Sequence, residues 1–270
     1  MAELRFALAD ALAPVYRVER EVRPVGDCRL FVARAVAANP PADLLVKVLP
    51  AALSLAVDAR RFEREVRALV GRLAHNSLVA PHGAGRAGSF VYHSRPFVTG
   101  TTLRAWLLKN RAVPLARAVA ILRDVVAGLA HAHAAGIAHG DVRPENVVLA
   151  DGKTMIADAG IVDAVGRSFS AAAPGAPGAA SADLCAPDYL VSGRKEATGP
   201  CTPRDDMFGV AVLVHEMLTG QPAPPQLEPL EGRVLPPWLA ELLAARWEDG
   251  EKALAAVRPA PRNSGEQPWL

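Results

Sequence analysis

The side chains of Asn146 and Asp158 could act together, because the sequence between them predicts a β-hairpin. Two apolar runs flank the dipeptide Asp151-Gly152, which is typical of a two-residue hairpin turn. Such a turn brings both ends of the hairpin, and with them an amide oxygen and a carboxylate, to the same point. The pairs expected to face each other across this hairpin are Val147 with Ile156 and Leu149 with Thr154.

A second carboxylate, Asp141, lies shortly before the hairpin, in a segment that Pro144 keeps out of a helix. Oxygen ligands that converge in this way suit Mg²⁺, which usually keeps several waters and shares its coordination shell with substrate phosphates. The spacing therefore indicates a site where phosphate chemistry could take place.

These residues resemble the catalytic core of the protein-kinase superfamily. The stretch His139–Asn146 is similar to the motif H-R-D-x-K-P-E-N, and Asp158-Ala159-Gly160 is similar to D-F-G. The resemblance implies that Asp141 is the catalytic base, which accepts the proton of the substrate hydroxyl. It also implies that Asn146 and Asp158 are the magnesium ligands.

Arg143 takes the place of the lysine in the first motif, and it would keep a cation near the transferring phosphate. A second cation, Lys47, is the only charged residue in a predicted apolar strand, and it falls on the lysine of the kinase pattern V-A-I-K. The resemblance assigns Lys47 to the phosphates of ATP. The resemblance also implies which residues contact ATP: Lys47, Val25, Gly26, Leu45, Phe97, Val98 and Val148.

A small β lobe precedes this core in the sequence. Its five strands are expected at residues 16–22, 30–34, 44–49, 78–79 and 90–92. Between the third and fourth strands, apolar residues spaced 4, 3 and 4 apart predict a helix within residues 60–75. Its phrase Arg61–Glu65 resembles the start of kinase helix αC, which implies that Glu65 pairs with Lys47. Glu63 is the alternative partner.

The resemblance implies an α+β, two-lobed protein-kinase-like fold. Its parts are a lead-in at 1–13, an N-lobe at 14–98 with a small five-stranded antiparallel sheet and helix αC, a mostly helical C-lobe at 99–257, and a tail at 258–270. The Ala- and Pro-rich stretch after Gly160 takes the place of the activation segment and would close at Ala186-Pro187-Asp188.

Several positions depart from the kinase pattern. The glycine-rich phosphate loop G-x-G-x-x-G falls on Arg23, Val25 and Cys28, so the close approach of backbone N–H groups to phosphate is lost. The other departures are Leu45 in place of a small alanine above the adenine ring, Arg95 at the gatekeeper position, Gly140 in place of arginine, and Ala159 in place of phenylalanine.

Three functions remain open on these residues. The first is a protein serine/threonine kinase that uses ATP and Mg²⁺, and the second is a pseudokinase that binds partners with weak or no turnover. The third is a small-molecule phosphotransferase of the aminoglycoside or choline kinase type, because His139-Gly140-Asp141 and Asn146 also satisfy H-G-D-x-x-x-x-N.

Composition and net charge indicate which partners and which cell compartment to expect. A net charge of +2 indicates no nucleic acid partner, and no apolar run approaches membrane-spanning length. Three widely spaced cysteines without a C-x-x-C motif are typical of free thiols in a reducing cytoplasm, so a cytoplasmic protein is expected. The expected partner is a protein substrate with a serine or threonine hydroxyl, and no pattern indicates the oligomeric state.

Overall fold

Among the described residues, most strands lie before residue 97 and the two longest helices lie after it. The computed structural model describes residues 2–13, 15–25, 28–36, 42–169, 200–222 and 250–256. The helices are α1 (Ala2–Leu12), α2 (Ala51–Ala56), α3 (Ala59–Leu69), α4 (Leu103–Asn110), α5 (Leu115–Ala134), a 3₁₀ turn (Pro144–Asn146), α6 (Ile161–Arg167), α7 (Pro203–Thr219) and α8 (Gly250–Ala256). The strands are β1 (Tyr16–Val25), β2 (Cys28–Ala35), β3 (Asp43–Val48), β4 (Leu78–Val79), β5 (Gly83–Ala87), β6 (Phe90–Pro96), β7 (Thr101–Thr102), β8 (Val147–Ala150) and β9 (Lys153–Ala157).

The first sheet has five antiparallel strands in the order β1-β2-β3-β6-β5. The number of strands agrees with the sequence, but the prediction that residues 78–79 form one of these five strands is wrong. That segment, β4, pairs in parallel with β9 in a second sheet. The true fifth strand is β5, whose sequence begins Gly83-Ala84-Gly85. It lacks the apolar alternation that predicts strands, and it pairs with β6 at the edge of the sheet.

Helices cover both faces of this sheet. On one face, Leu8 and Leu12 of α1 pack with outward-facing sheet residues such as Phe31. On the other face, Phe62 and Val66 of α3 pack in the main core. Because side chains alternate along a strand, each strand contributes to both layers.

The second sheet contains the hairpin predicted from the Asp-Gly turn. Strands β8 and β9 pair Val147 with Ile156 and Leu149 with Thr154, which confirms the expected register. Asp151 and Gly152 have φ values of 42° and 72°, as a type I′ turn requires. The hairpin therefore joins the segment that ends at Asn146 to the segment that begins at Asp158.

The helical part is built around α5 and α7. Apolar residues of α5, such as Val125 and Leu129, share one buried cluster with Met207 and Leu213 of α7. None of the helices within the described residues is long and apolar enough to cross a membrane. An antiparallel β part followed by a helical part agrees with the expected α+β architecture.

Candidate active site

A buried carboxylate from α7 holds the segment that runs from His139 to Asn146. Asp206, which is 1% exposed, accepts hydrogen bonds from the backbone N–H of His139 at 2.6 Å and of Gly140 at 2.8 Å. Its Oδ2 also lies 2.8 Å from Nε2 of His133 on α5. The segment is therefore fixed to the two central helices before any ligand is bound.

The backbone conformation explains the glycine in place of the motif's arginine. Gly140 has a φ of 80°, in the left-handed region that favours glycine. A Cβ at this position would lie 2.9 Å from the Sγ of Cys201, which is closer than van der Waals contact permits. Any side chain at position 140 would strain the backbone and push against Cys201.

Asp141, the predicted catalytic base, is held by two neighbours. Its Oδ2 accepts a hydrogen bond from Nδ2 of Asn146 at 2.8 Å and lies 3.2 Å from Nε of Arg143. The same amide nitrogen of Asn146 donates to the backbone oxygen of Asp141 at 2.9 Å. All three side chains are buried. The carboxylate is therefore oriented by an amide and lies beside a positive charge.

Asp158 faces two cations. Its Oδ2 accepts a hydrogen bond from Nζ of Lys47 at 3.0 Å, and its Oδ1 lies 3.3 Å from Nε of Arg95. All three side chains are less than a tenth exposed. Burial alone would raise the pKa of Asp158, but the charges of Lys47 and Arg95, joined at low pH by protonated His93, outweigh it and lower that pKa well below its usual range.

The strand register explains why these cations meet. Leu45 of β3 pairs with Arg95 of β6, and Lys47 pairs with His93, so all four side chains point to the same face of the sheet. Arg95 departs from the kinase pattern in the sequence, but its partner Asp158 was not predicted. The sequence does contain a signal for such a partner, because a charged side chain at a buried strand position needs an opposite charge nearby.

Glu65 does not pair with Lys47, so the predicted pairing is wrong. Oε2 of Glu65 lies 2.7 Å from Nε of Arg167, at the end of α6. The alternative partner, Glu63, bonds instead to Arg67 one turn further along α3. The physical reason is that α6 packs against α3 and brings the guanidinium of Arg167 to Glu65. Lys47 forms its ion pair with Asp158 instead.

Of the two predicted magnesium ligands, Asp158 does not fit a divalent cation as it is arranged. Both oxygens of Asp158 already face cations, Lys47 and Arg95, so a metal ion at this carboxylate would have to compete with them. The hydrogen bonds from Asn146 to Asp141 use its amide nitrogen and not its amide oxygen, the atom that would bind a metal, so the poor fit rests on Asp158. In the part of the chain that the structure describes, there is no group of three or more His, Cys, Asp or Glu side chains that could hold a metal. The magnesium assignment stays a prediction, and Arg95 is the competing cation.

A cavity of about 680 Å³ opens between the first sheet and the helical part, which is within the usual size range of small-molecule sites. Its lining includes seven of the predicted site residues: Leu45, Lys47, Phe97, Val98, Asn146, Val148 and Asp158. Leu45 lines the cavity without filling it. Of the other two predicted ATP contacts, Val25 pairs with Cys28 at the end of the β1–β2 hairpin, and Gly26 lies outside the described residues.

Several residues of this cavity are not among the predicted site residues. Val22 and Leu30 line it from β1 and β2. They pair with each other, and Leu30 also pairs with Lys47, so the strand register alone would have found them. Arg20 also lines the cavity, and its guanidinium lies over the ring of Phe97 at 5.7 Å.

The cavity wall on the helical side carries an ion network. Nε of Arg104 on α4 donates to Glu145 at 2.7 Å, and the guanidinium also bonds Glu216 of α7. Burial would lower the pKa of Arg104, but the two carboxylates outweigh it and raise that pKa. The network ties α4, the 3₁₀ turn Pro144–Asn146 and α7 together.

Comparisons with known proteins agree with this geometry. Residues 32–231 match the family model for the protein kinase domain. The serine/threonine-protein kinase PknL of Mycobacterium tuberculosis is 38% identical over 161 residues, which cover 59% of this chain and 38% of PknL. PknD of the same species is 33% identical over 169 residues, which cover 62% of this chain and 24% of PknD. The matches thus span less than half the length of these relatives.

A solved structure shows the same fold. The crystal structure of the M. tuberculosis PknI kinase domain matches this chain with a TM-score of 0.62 and 20% sequence identity, over 90% of this chain and 94% of that one. The two-lobed α+β prediction is therefore confirmed. The predicted domain limits, the closing residues Ala186-Pro187-Asp188 of the activation segment and the tail at 258–270 stay predictions, and those closing residues and that tail lie outside the described residues.

Proposed function

This chain belongs to the protein kinase domain family, and from that premise we propose that it is a protein serine/threonine kinase that transfers the γ-phosphate of ATP to a protein hydroxyl. The observation that carries the proposal is one cavity that contains Lys47, Asn146 and Asp158, with Asp141 hydrogen-bonded to Asn146 beside it. Phosphoryl transfer depends mainly on positioning and on neutralisation of charge, and these residues provide both. A protein substrate and a cytoplasmic location remain predictions.

Each residue has a distinct part in the proposed reaction. The adenine lies between Leu45 and Val148, and Lys47 binds phosphate oxygens. Asp141 takes the proton of the substrate hydroxyl as that oxygen forms its bond to the γ-phosphorus. The bond from this phosphorus to the β–γ bridging oxygen breaks, and ADP leaves with that oxygen. Arg143 keeps a positive charge beside Asp141 throughout.

A binding module with weak or no turnover is the second candidate, and two ion pairs favour it. The Glu65–Arg167 pair leaves Lys47 without its usual glutamate, and the Arg95–Asp158 pair places a cation on a predicted metal ligand. A domain built in this way could bind a nucleotide and still position its phosphates too poorly for transfer.

The test measures phosphotransfer and ATP affinity in the same set of variants. Asp141→Asn should lower transfer to a generic protein substrate by about 10² to 10⁴-fold, because the base is lost. Its Kd for ATP should stay within about twofold, because Asp141 contacts the substrate hydroxyl rather than ATP. Lys47→Met should weaken both. Asp151→Asn makes the same chemical change at the exposed hairpin turn and should alter neither.

Two results would count against parts of this proposal. Equal loss of ATP binding and transfer in Asp141→Asn would contradict the role of that residue as the base. A wild-type protein that binds ATP but transfers no phosphate to protein would favour the binding module.

A further inference from the structure

Arg95 is a buried cation that the proposed reaction does not use. It is 8% exposed, it lies on β6, and its side chain lines the cavity. A guanidinium taken out of water is costly unless it is paired, and its partner is Oδ1 of Asp158 at 3.3 Å. The strand register fixes this position, because Arg95 pairs with Leu45 on the face that carries Lys47.

Asp158 is therefore shared between two cations. The lining of the cavity carries more positive than negative charge: the cations are Arg20, Lys47, Arg95 and Arg104, and the carboxylates are Glu145, Asp158 and Glu216. Arg104 already forms ion pairs with both glutamates on the helical side of the cavity. The surplus positive charge is thus at the opposite end, where Lys47 and Arg95 face one carboxylate. A surplus of this kind attracts an anion.

The chemistry of the guanidinium suits phosphate. It carries five N–H donors in a fixed planar fork, and the Nε of Arg95 is the atom that faces Asp158. The remaining N–H groups belong to the same guanidinium, and such a fork can bind phosphate oxygens bidentately. Because arginine stays protonated, this charge is present at every physiological pH.

We propose, on the basis of the nucleotide site described under the proposed function, that Arg95 binds the nucleotide phosphates and supplies beside Asp158 the positive charge that otherwise comes from a divalent cation. The cleft then binds ATP without metal. A metal ion added to the solution would have to displace Arg95 from Asp158, so it adds little affinity. In this way Arg95 accounts for the poor fit of Asp158 to Mg²⁺.

The test is isothermal titration calorimetry with ATP, once in EDTA and once in magnesium chloride. The wild-type protein should show Kd values within about threefold of each other in the two buffers. Arg95→Met removes the charge and keeps the length of the side chain, and it should weaken binding in EDTA by about tenfold or more. Magnesium should restore this binding, because Asp158 is then open to the ion.

Two further variants serve as controls. Arg95→Lys keeps a cation and should retain most of the binding in EDTA. Arg20→Met removes the same charge from the same cavity at a position that faces Phe97, and it should change Kd by the same factor in both buffers. Thermal unfolding without nucleotide shows that each variant is folded. Arg95→Met leaves Asp158 paired with Lys47, so it leaves no orphaned carboxylate.

Wild-type binding that appears only with magnesium overturns the role of Arg95 and leaves the proposed kinase site intact. Equal weakening of Arg95→Met in both buffers also overturns it, because Arg95 would then act as one more cation and not in place of a metal. The absence of binding in either buffer overturns the proposed nucleotide site itself.

Discussion

His93 is a buried histidine on the face of the first sheet that also carries Lys47 and Arg95. His93 is 1% exposed, and its ring meets that of Phe62 edge-on with centroids 6.5 Å apart. Burial is the main cause that lowers its pKa to about 4, and Lys47 and Arg95 act in the same direction against Asp158. His93 is therefore neutral at pH 7, and it adds no third cation to the pair that shares Asp158.

This shift makes the stability of the protein dependent on pH in a predictable direction. In the unfolded chain His93 has a pKa near 6.5, so it takes up a proton there before it does in the folded protein. Its contribution to stability is complete above pH 6.5 and is lost as the pH falls towards 4. From pH 7 to pH 5 it amounts to about 2 kcal/mol. Urea unfolding at pH 7 and at pH 5 measures the free energy of unfolding. Between these two pH values, this free energy should fall by about 2 kcal/mol less in His93→Leu than in the wild-type protein.

The exposed His82 provides the control. His82→Leu removes an imidazole from the surface and should keep the wild-type difference in unfolding free energy between pH 7 and pH 5. If His93→Leu showed that same difference, His93 would not be the group that titrates on unfolding.

At the scale of residues, the sequence predicts what a local motif determines. The Asp-Gly turn predicts the register of the hairpin between Asn146 and Asp158, and the structure confirms that register. The partners of Glu65 and Asp158 were not predicted, because their ion pairs join segments far apart in the chain. Which of several nearby charged residues form an ion pair depends on how the helices and strands pack, and no local sequence pattern contains that information.

Helix α6 connects the active site to α3. It begins directly after Gly160, and its last residue, Arg167, bonds Glu65. The backbone beyond it also holds the start of α3, since the N–H of Asp58 donates to the carbonyl of Ser168 at 2.8 Å. Glu65 is therefore kept from Lys47 by a helix that is itself attached to α3.

Release of this contact should favour the arrangement that phosphoryl transfer needs. Glu65 and Arg167 are partly exposed, so their ion pair contributes about 1 kcal/mol or less. Arg167→Met should therefore leave stability nearly unchanged and raise the phosphotransfer rate by up to about fivefold, because Glu65 becomes available to Lys47. Radiolabelled ATP with a generic protein substrate measures the rate.

Two variants show whether Glu65 is the cause. Arg67→Met breaks a similar pair with Glu63 within α3 and should leave the rate unchanged. The gain from Arg167→Met should vanish when Glu65→Gln is also present. A gain that persists in the double variant would mean that α6 acts on the site by another route.

At the scale of elements, the sequence predicts those that carry their own periodicity. Helix α3 shows a clear apolar stripe, and its buried residues Phe62, Val66 and Leu69 confirm it. The seven-residue α6 was not predicted, because its sequence opens a stretch whose composition suggests a linker. Its burial against the rest of the fold stabilises it, as is typical of helices too short to form alone.

At the scale of the whole molecule, few residues join the sheet to the helical part near the cavity. Gly100 lies between β6 and β7, where the chain passes from one part to the other. A Cβ at this position would overlap the backbone oxygen of Leu149 on β8 and would lie 3.0 Å from Cβ of Ala150. The predicted lobe limits, 14–98 and 99–257, place the junction between the lobes, here called the hinge, next to Gly100. The closeness of this hinge to the hairpin is a property of the folded packing.

The close approach at Gly100 leads to a prediction about the stability of the whole molecule. Gly100→Ala should lower the free energy of unfolding by about 1–3 kcal/mol, because the new methyl group meets rigid backbone that cannot give way. Gly166→Ala makes the same change inside α6, where nothing lies within 4 Å of the new Cβ, and it should raise stability by about 0.5–1 kcal/mol through the entropy of the unfolded chain. Urea unfolding of the two variants beside the wild-type protein measures both effects. If Gly100→Ala were as stable as the wild-type protein, the hinge and the hairpin would not be in close contact in solution, and the cavity between the two parts would have a different shape.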